Sequence, residues 1–245
     1  MEAYPRESKE LKKLSILTGQ RDTDLLILSN LNDESLFSFC QVDRYAANLC
    51  QNEDFWRNRF INKYGAELID IKLPNRSWKN FYLGIEYYNN LYKDWDFSLN
   101  EAAKKGSKQI DFINFFLSQG AGASYKALAT AIKKQDYPLV NLFVNSFVPI
   151  DDDYFWRNAF NLAASVGNID ILNLLLTKGV RNFNQALYIA AEKGHKNMVE
   201  YLLQVSKYNQ YTIDIYGIDD ARNIARARRF ATIEHILQTE LHNRK

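Results

Sequence analysis

An all-α fold is predicted for this 245-residue chain by three features of its sequence. Four prolines and ten glycines supply little of the turn chemistry a β-rich protein needs. Apolar residues recur mostly at helical spacing. A pair of alanines followed by a glycine returns at Ala102-Ala103 with Gly106, Ala163-Ala164 with Gly167 and Ala190-Ala191 with Gly194. The third feature points to stacked helical hairpins in the C-terminal part, because close helix packing demands small side chains and a chain reversal demands a residue free to take positive φ.

Composition narrows the function classes. Hydrophobic residues at 47% and charged residues at 24% describe a folded chain. Lys plus Arg (31) nearly balances Asp plus Glu (29), so the formal charge is only +2 and no global bias toward nucleic acid or anionic membrane exists. Cys40 and Cys50 are the two cysteines, too few for a disulfide framework and suited to a reducing compartment. The N-terminus lacks the apolar core and cleavage site of a secretory signal, and no apolar run approaches the ~20 residues of a membrane span. A cytoplasmic location is expected.

From Asp22, three short apolar stripes follow one another: Leu25, Leu28 and Leu31; Leu36, Phe39 and Cys40; Val42, Ala46, Leu49 and Cys50. Asn32 or Asp33 can cap the second helix, and Asn52 a fourth in which Trp56, Phe60 and Tyr64 share a face and Gly65 ends the run. This stretch, about Asp22 to Gly65, resembles an F-box, on the leucine series, the Asp33-Glu34-Ser35-Leu36 turn, the segment Phe39 to Arg44 and the closing Phe55-Trp56. It is most similar to the divergent F-box-like modules of ankyrin-repeat proteins in large DNA viruses. The usual Leu-Pro opening is absent, Thr23-Asp24 standing in its place. The resemblance implies docking on a Skp-type adaptor of a cullin-RING ubiquitin ligase through Leu25, Leu28, Leu31, Leu36, Phe39 and Trp56. The same side chains could equally be the core of a small bundle.

After Pro74, Trp78, Phe81, Tyr82 and Ile85 fall at helical spacing behind Ser77 as cap, which predicts a connector helix whose aromatic face joins two modules. The domain plan is a segment 1–21, a module 22–66, a connector 67–96 and a repeat array 97–245.

Within the array, segments starting at Glu101, Thr130, Leu162 and Ile189, with a weaker fifth copy from Asn223, share a small-residue site, a short break and two apolar pairs. One such hairpin cannot bury its own face, so several must stack. These segments resemble ankyrin repeats, and Ala190 to His195 is close to the family's central motif. The family's Thr-Pro-Leu-His start is missing, its His position holding Asn100, Ala129, Asn161 and Tyr188, and Ala163 to Ala190 spans 27 residues against ~33 for the usual repeat. The shortening is expected to fall on the projecting hairpin loop, leaving turns with little strand. The resemblance implies a concave binding face, with Tyr125, Lys126, Arg157, Asn158, Asn182 and Asn184 as candidate target contacts.

The string FWRN at Phe55 and again at Phe155 is not a duplication, since only the second copy leads into the Ala-Ala-x-x-Gly pattern at Leu162 to Gly167. No catalytic residues are assigned. The three histidines His195, His235 and His242 have no zinc spacing, and His195 falls in a repeat turn where it reads as structural. Asp151-Asp152-Asp153 reads as a loop and helix cap, because it lacks the glycine and distal glutamate of a calcium loop. Arg222, Arg226 and Arg229 can share a face of the last repeat and read as its solvated outer surface rather than a phosphate site. The expectation is therefore a non-enzymatic adaptor without cofactor or metal, joining a Skp-type subunit to an unknown target protein, with membrane and nucleic acid disfavoured. The alternative is an ankyrin scaffold whose N-terminal module is a structural cap.

Overall fold

The computed structural model describes residues 17–122, 124–146, 153–180, 182–208 and 213–244. It is all-α, with no strand among the described residues, and it divides into two compact units, one through Lys93 and the other from Asp94.

The N-terminal unit contains α1 (Arg21–Ser29), α2 (Asp33–Phe39), α3 (Arg44–Leu49), α4 (Glu53–Tyr64), a 3-10 turn (Ala66–Ile71) and α5 (Trp78–Tyr92). Side-chain caps set most of the helix starts. Asn32 accepts from the Ser35 amide, Asp43 from Ala46, Asn52 from Phe55 and Ser77 from Asn80. Each satisfies one of the orphaned amides of a first turn, which matters in helices too short to be stable alone. The predicted connector is α5, and its aromatic face closes the core of this unit: Phe60 lies 5.4 Å from the Trp78 ring and 5.5 Å from Phe81, and Trp56 lies 5.7 Å from Tyr82.

Cys40 and Cys50, which follow α2 and α3 as their C-caps, are joined in a disulfide. The reducing compartment expected from the cysteine count therefore loses that support. A count of two argues against a framework of bridges, but says nothing about whether two helix ends meet.

The second unit is a row of helical hairpins: α6 (Trp95–Lys105) with α7 (Ile110–Ser118), α8 (Tyr125–Lys133) with α9 (Tyr137–Ser146), α10 (Asp153–Val166) with α11 (Ile169–Leu176), α12 (Phe183–Lys193) with α13 (Lys196–Tyr208), and α14 (Ile215–Ala227) with α15 (Ala231–Asn243). The first helices pack side by side, α6 on α8, α8 on α10, α10 on α12 and α12 on α14. Alanines make that spacing possible: Ala102, Ala103, Ala163, Ala164, Ala190 and Ala191 are fully buried. The second helices contribute Ile171, Leu172, Leu175, Met198, Val199, Leu202 and Leu203 to the core behind them.

Each hairpin turns through one residue of positive φ. Gly106, Gly167 and Gly194 take it in three hairpins, while Gln135 and Arg229 take it in the other two, at a steric cost that glycine would avoid. The residue that follows the turn, or the one after it, reaches back to the preceding hairpin. Asp136 accepts from the Ser107 amide at 2.7 Å, and Asn168 donates to Gln135 at 3.2 Å. His195 Nε2 meets the Ser165 carbonyl at 2.8 Å, and the Phe230 ring covers Gly194. A Cβ at Gly167 would lie 2.8 Å from the His195 ring and one at Gly194 2.8 Å from Phe230, so these glycines serve both the turn and the stacking. The expectation of turns with little strand agrees with the described parts of the linking segments. Residues 151 and 152, and the side chain of Asp153, lie outside the described structure, so the acidic cap expected there is not addressed.

Candidate protein-interaction surfaces

In the N-terminal unit the six sequence candidates separate into two groups. Leu28, Leu36 and Trp56 are buried in the unit's own core, with Trp56 Nε1 donating to the Cys50 carbonyl at 2.9 Å. Leu25, Leu31 and Phe39 are half-buried. The most exposed apolar side chain of α1 is Leu26, at 68%, which lies off the Leu25, Leu28, Leu31 stripe. Phe37, Val42 and Tyr45 are exposed as well. Leu25, Leu26 and Leu31 line an open groove of about 840 Å³ together with Phe55, Arg59 and Tyr82.

A charge network underlies that groove. Arg59 donates to Asp33 through Nε at 2.9 Å and Nη2 at 2.7 Å, and to the Leu31 carbonyl at 2.7 Å. Lys63 bridges Asp33 at 3.0 Å and the buried Glu86 at 2.8 Å. The Tyr82 hydroxyl donates to Asp33, and Tyr64 to Glu86. Two cations face two carboxylates, so the cluster is neutral as a whole and each charge has a partner. Partial burial pushes the Asp33 carboxyl up, but hydrogen bonds from Lys63, Arg59 and Tyr82 outweigh it and hold its pKa below the ordinary value. The Tyr82 phenol is pushed up to about 12 by burial and by its bond to Asp33. Burial and the bond to Glu86 likewise raise Tyr64.

At the start of α1, Asp24 is buried. Its carboxylate accepts from the Thr18 amide and hydroxyl, the Gly19 amide and, at 2.6 Å, the Tyr45 hydroxyl. This position thus ties the start of α1 to α3 from within. No sequence signal marked it, since its partners come from both sides of the helix.

In the array, the N-terminal ends of the first helices form one edge. Exposed there are Phe97 on α6, Tyr125 on α8, Tyr154 on α10 and both Ile215 and Tyr216 on α14, with Tyr154 at 69% and Tyr216 at 83%. The Tyr125 ring meets Phe155 edge-on at 5.6 Å, so aromatic contact is continuous from α8 to α10. Lys126 and Arg157 are exposed on the same helices and Asn158 is half-buried. Asn182 donates to Asn161 at 3.2 Å, and Asn184 holds Asp214 through its backbone amide and side chain. These two asparagines therefore already act between hairpins. Two of the missing histidine positions are re-used in the same way, Asn100 accepting from Ser124 at 2.7 Å and Asn161 from Asn182. Tyr154 and Tyr216 were not singled out in the sequence, where nothing distinguishes an exposed tyrosine at a helix start from a buried one.

The arginine face of the last hairpin is largely neutralised. Of the three arginines read as one face, Arg222 pairs with Asp219 at 2.6 Å and Arg226 with Glu234 at 2.6 Å, while Arg229 stands in the positive-φ turn; the neighbouring Arg228 pairs with Glu192 at 2.6 Å. Paired guanidinium groups leave little charge for a phosphate backbone.

Residues 162–226, within the array, match the family model described as ankyrin repeats (3 copies). No curated protein matches the chain. A match to this family implies protein partners for the array. No described helix is long and apolar enough to cross a membrane.

Proposed function

We propose that the chain is a protein-interaction adaptor in which the ankyrin array holds a target protein and the F-box-like N-terminal unit recruits a Skp-type subunit of a cullin-RING ubiquitin ligase. Target modification would then follow from proximity, through the raised local concentration of target near the ligase. The observation that carries the recruiting arm is Leu26. It stands out from α1 at the rim of a groove, two positions from the fully buried Leu28, although the unit has an aromatic core in which to bury apolar side chains. Exposed apolar side chains grouped beside a groove are the usual mark of a docking surface.

For the target-holding arm, the supporting feature is the aromatic edge of Phe97, Tyr125, Tyr154 and Tyr216, flanked by Lys126 and Arg157. Tyrosines give large contact area at low entropic cost, and are enriched among residues that dominate binding energies. Burial of Leu28, Leu36 and Trp56 favours a second reading, in which the N-terminal unit is a structural cap and the array is the sole interaction surface.

The two readings separate in a capture experiment with purified Skp-type subunit, using the full chain, a Leu26→Asp, Phe37→Asp double variant and wild-type-like folding by circular dichroism as the control. The adaptor reading predicts capture by the wild type and at least a tenfold loss in the folded double variant. Failure of the wild type to bind would remove the recruiting arm and leave the scaffold reading.

A further inference from the structure

We propose that the Cys40–Cys50 pair is a thiol–disulfide exchange site that takes a dithiol reductant and sets the order of the segment between the two cysteines. The inference is independent of which partner the N-terminal unit binds. Three observations carry it. The bridge joins the C-caps of two consecutive short helices, so it closes the segment that contains all of α3. Its two cysteines differ in exposure, Cys50 being fully buried and Cys40 half-buried. Inside the segment Val42 and Tyr45 are exposed, and the anchors are few: the Asp43 cap, the Tyr45 bond to Asp24, the Trp56 bond to the Cys50 carbonyl, and the burial of Ala46 and Leu49.

Those facts define the chemistry. An incoming thiolate attacks the Sγ of Cys40, the more exposed of the two cysteines, and the Sγ–Sγ bond breaks with Cys50 leaving as a thiolate that takes up a proton. The second thiol of the reductant then displaces Cys40 from the mixed disulfide, and Cys40 is protonated in turn. The protein gains two electrons and two protons, and the dithiol becomes a disulfide. Six-residue α3 cannot hold its own fold, since isolated helices shorter than ~12 residues are marginal in water. Removing the bridge therefore loosens 41–51 in preference to α4, whose Trp56 and Phe60 are locked in the aromatic core.

The test uses the full chain, purified without reductant. Alkylation followed by intact mass measurement is expected to add no label before treatment with dithiothreitol and two labels afterwards. Amide hydrogen exchange over 41–51 is expected to speed up at least tenfold on reduction while 53–64 is unchanged. A Cys40→Ser variant is expected to show the fast exchange with or without dithiothreitol, and a Cys50→Ala variant gives the same comparison should the serine chain fold poorly. Two labels taken up without reductant, or identical exchange over 41–51 in oxidised and reduced chains, would overturn the proposal.

Discussion

Replacing Trp56 by alanine is expected to cost about 3–5 kcal/mol, enough to unfold the N-terminal unit at ambient temperature. The indole is 1% exposed and packs against Phe55 at 5.2 Å and Tyr82 at 5.7 Å, so its removal opens a cavity among rings that cannot collapse into the space. The Cys50 carbonyl also loses its partner, since Trp56 Nε1 donates to it at 2.9 Å. Urea unfolding followed by far-ultraviolet circular dichroism should show an early transition for this unit, with the transition of the array retained. A single transition at the wild-type midpoint would place Trp56 outside the core.

Arg59→Ala is expected to cost about 2–3 kcal/mol, because removing one member of a half-buried ion pair takes its charge-assisted hydrogen bonds from the partner. Asp33 would keep Tyr82 and Lys63 but lose both arginine bonds, and the Leu31 carbonyl near the end of α1 would lose its donor. Arg59→Met, which keeps much of the side-chain volume, should recover only part of the loss. The pH dependence follows from Asp33, whose folded pKa lies below its ordinary value of 3.8. A carboxyl lowered by folding contributes stability that is present above the unfolded pKa and is lost as pH falls through the folded one. Wild-type stability should therefore decline as pH drops below about 4. In the Arg59→Ala chain that decline should be shallower, since less of it remains to be lost. An equal slope in both chains would exclude Asp33 as the titrating group.

Local rules made much of the fold legible in the sequence. Asn32, Asn52 and Ser77 cap helices as their residue types suggest, and Gly106, Gly167 and Gly194 mark turns because a positive φ is written in the residue itself. Gln135 and Arg229 take the same conformation without any such signature, and the fifth repeat, which turns at Arg229, looks weak in the sequence while folding like the others. The candidate surfaces were harder to read. Helical periodicity places Leu25, Leu28 and Leu31 on one stripe, but cannot say that Leu28 alone is buried while Leu25 and Leu31 line a groove beside the exposed Leu26. Asp33, Arg59, Lys63, Tyr82 and Glu86 come from three separate helices, so no spacing announces their network. The disulfide escaped for a related reason: its cysteines meet only because two consecutive short helices end side by side.

The two occurrences of FWRN show how little a shared string fixes. Trp56 hydrogen-bonds a backbone carbonyl inside an aromatic core, whereas Trp156 sits beside Phe155 at 4.9 Å with Lys178 over its ring in a repeat array. Sequence neighbours determine the helix, and the surrounding packing determines the role.

Central to this account is that the array binds protein through its aromatic edge. The direct measurement is quantitative mass spectrometry of proteins captured by the full chain, by a Tyr154→Ser, Tyr216→Ser variant and by a control at an exposed position of α13, Gln204→Ala, each with wild-type thermal stability. Loss of the same set of captured proteins from the tyrosine variant alone, by tenfold or more, is the predicted result. An identical captured set for all three chains would contradict the assignment of that edge as the binding surface.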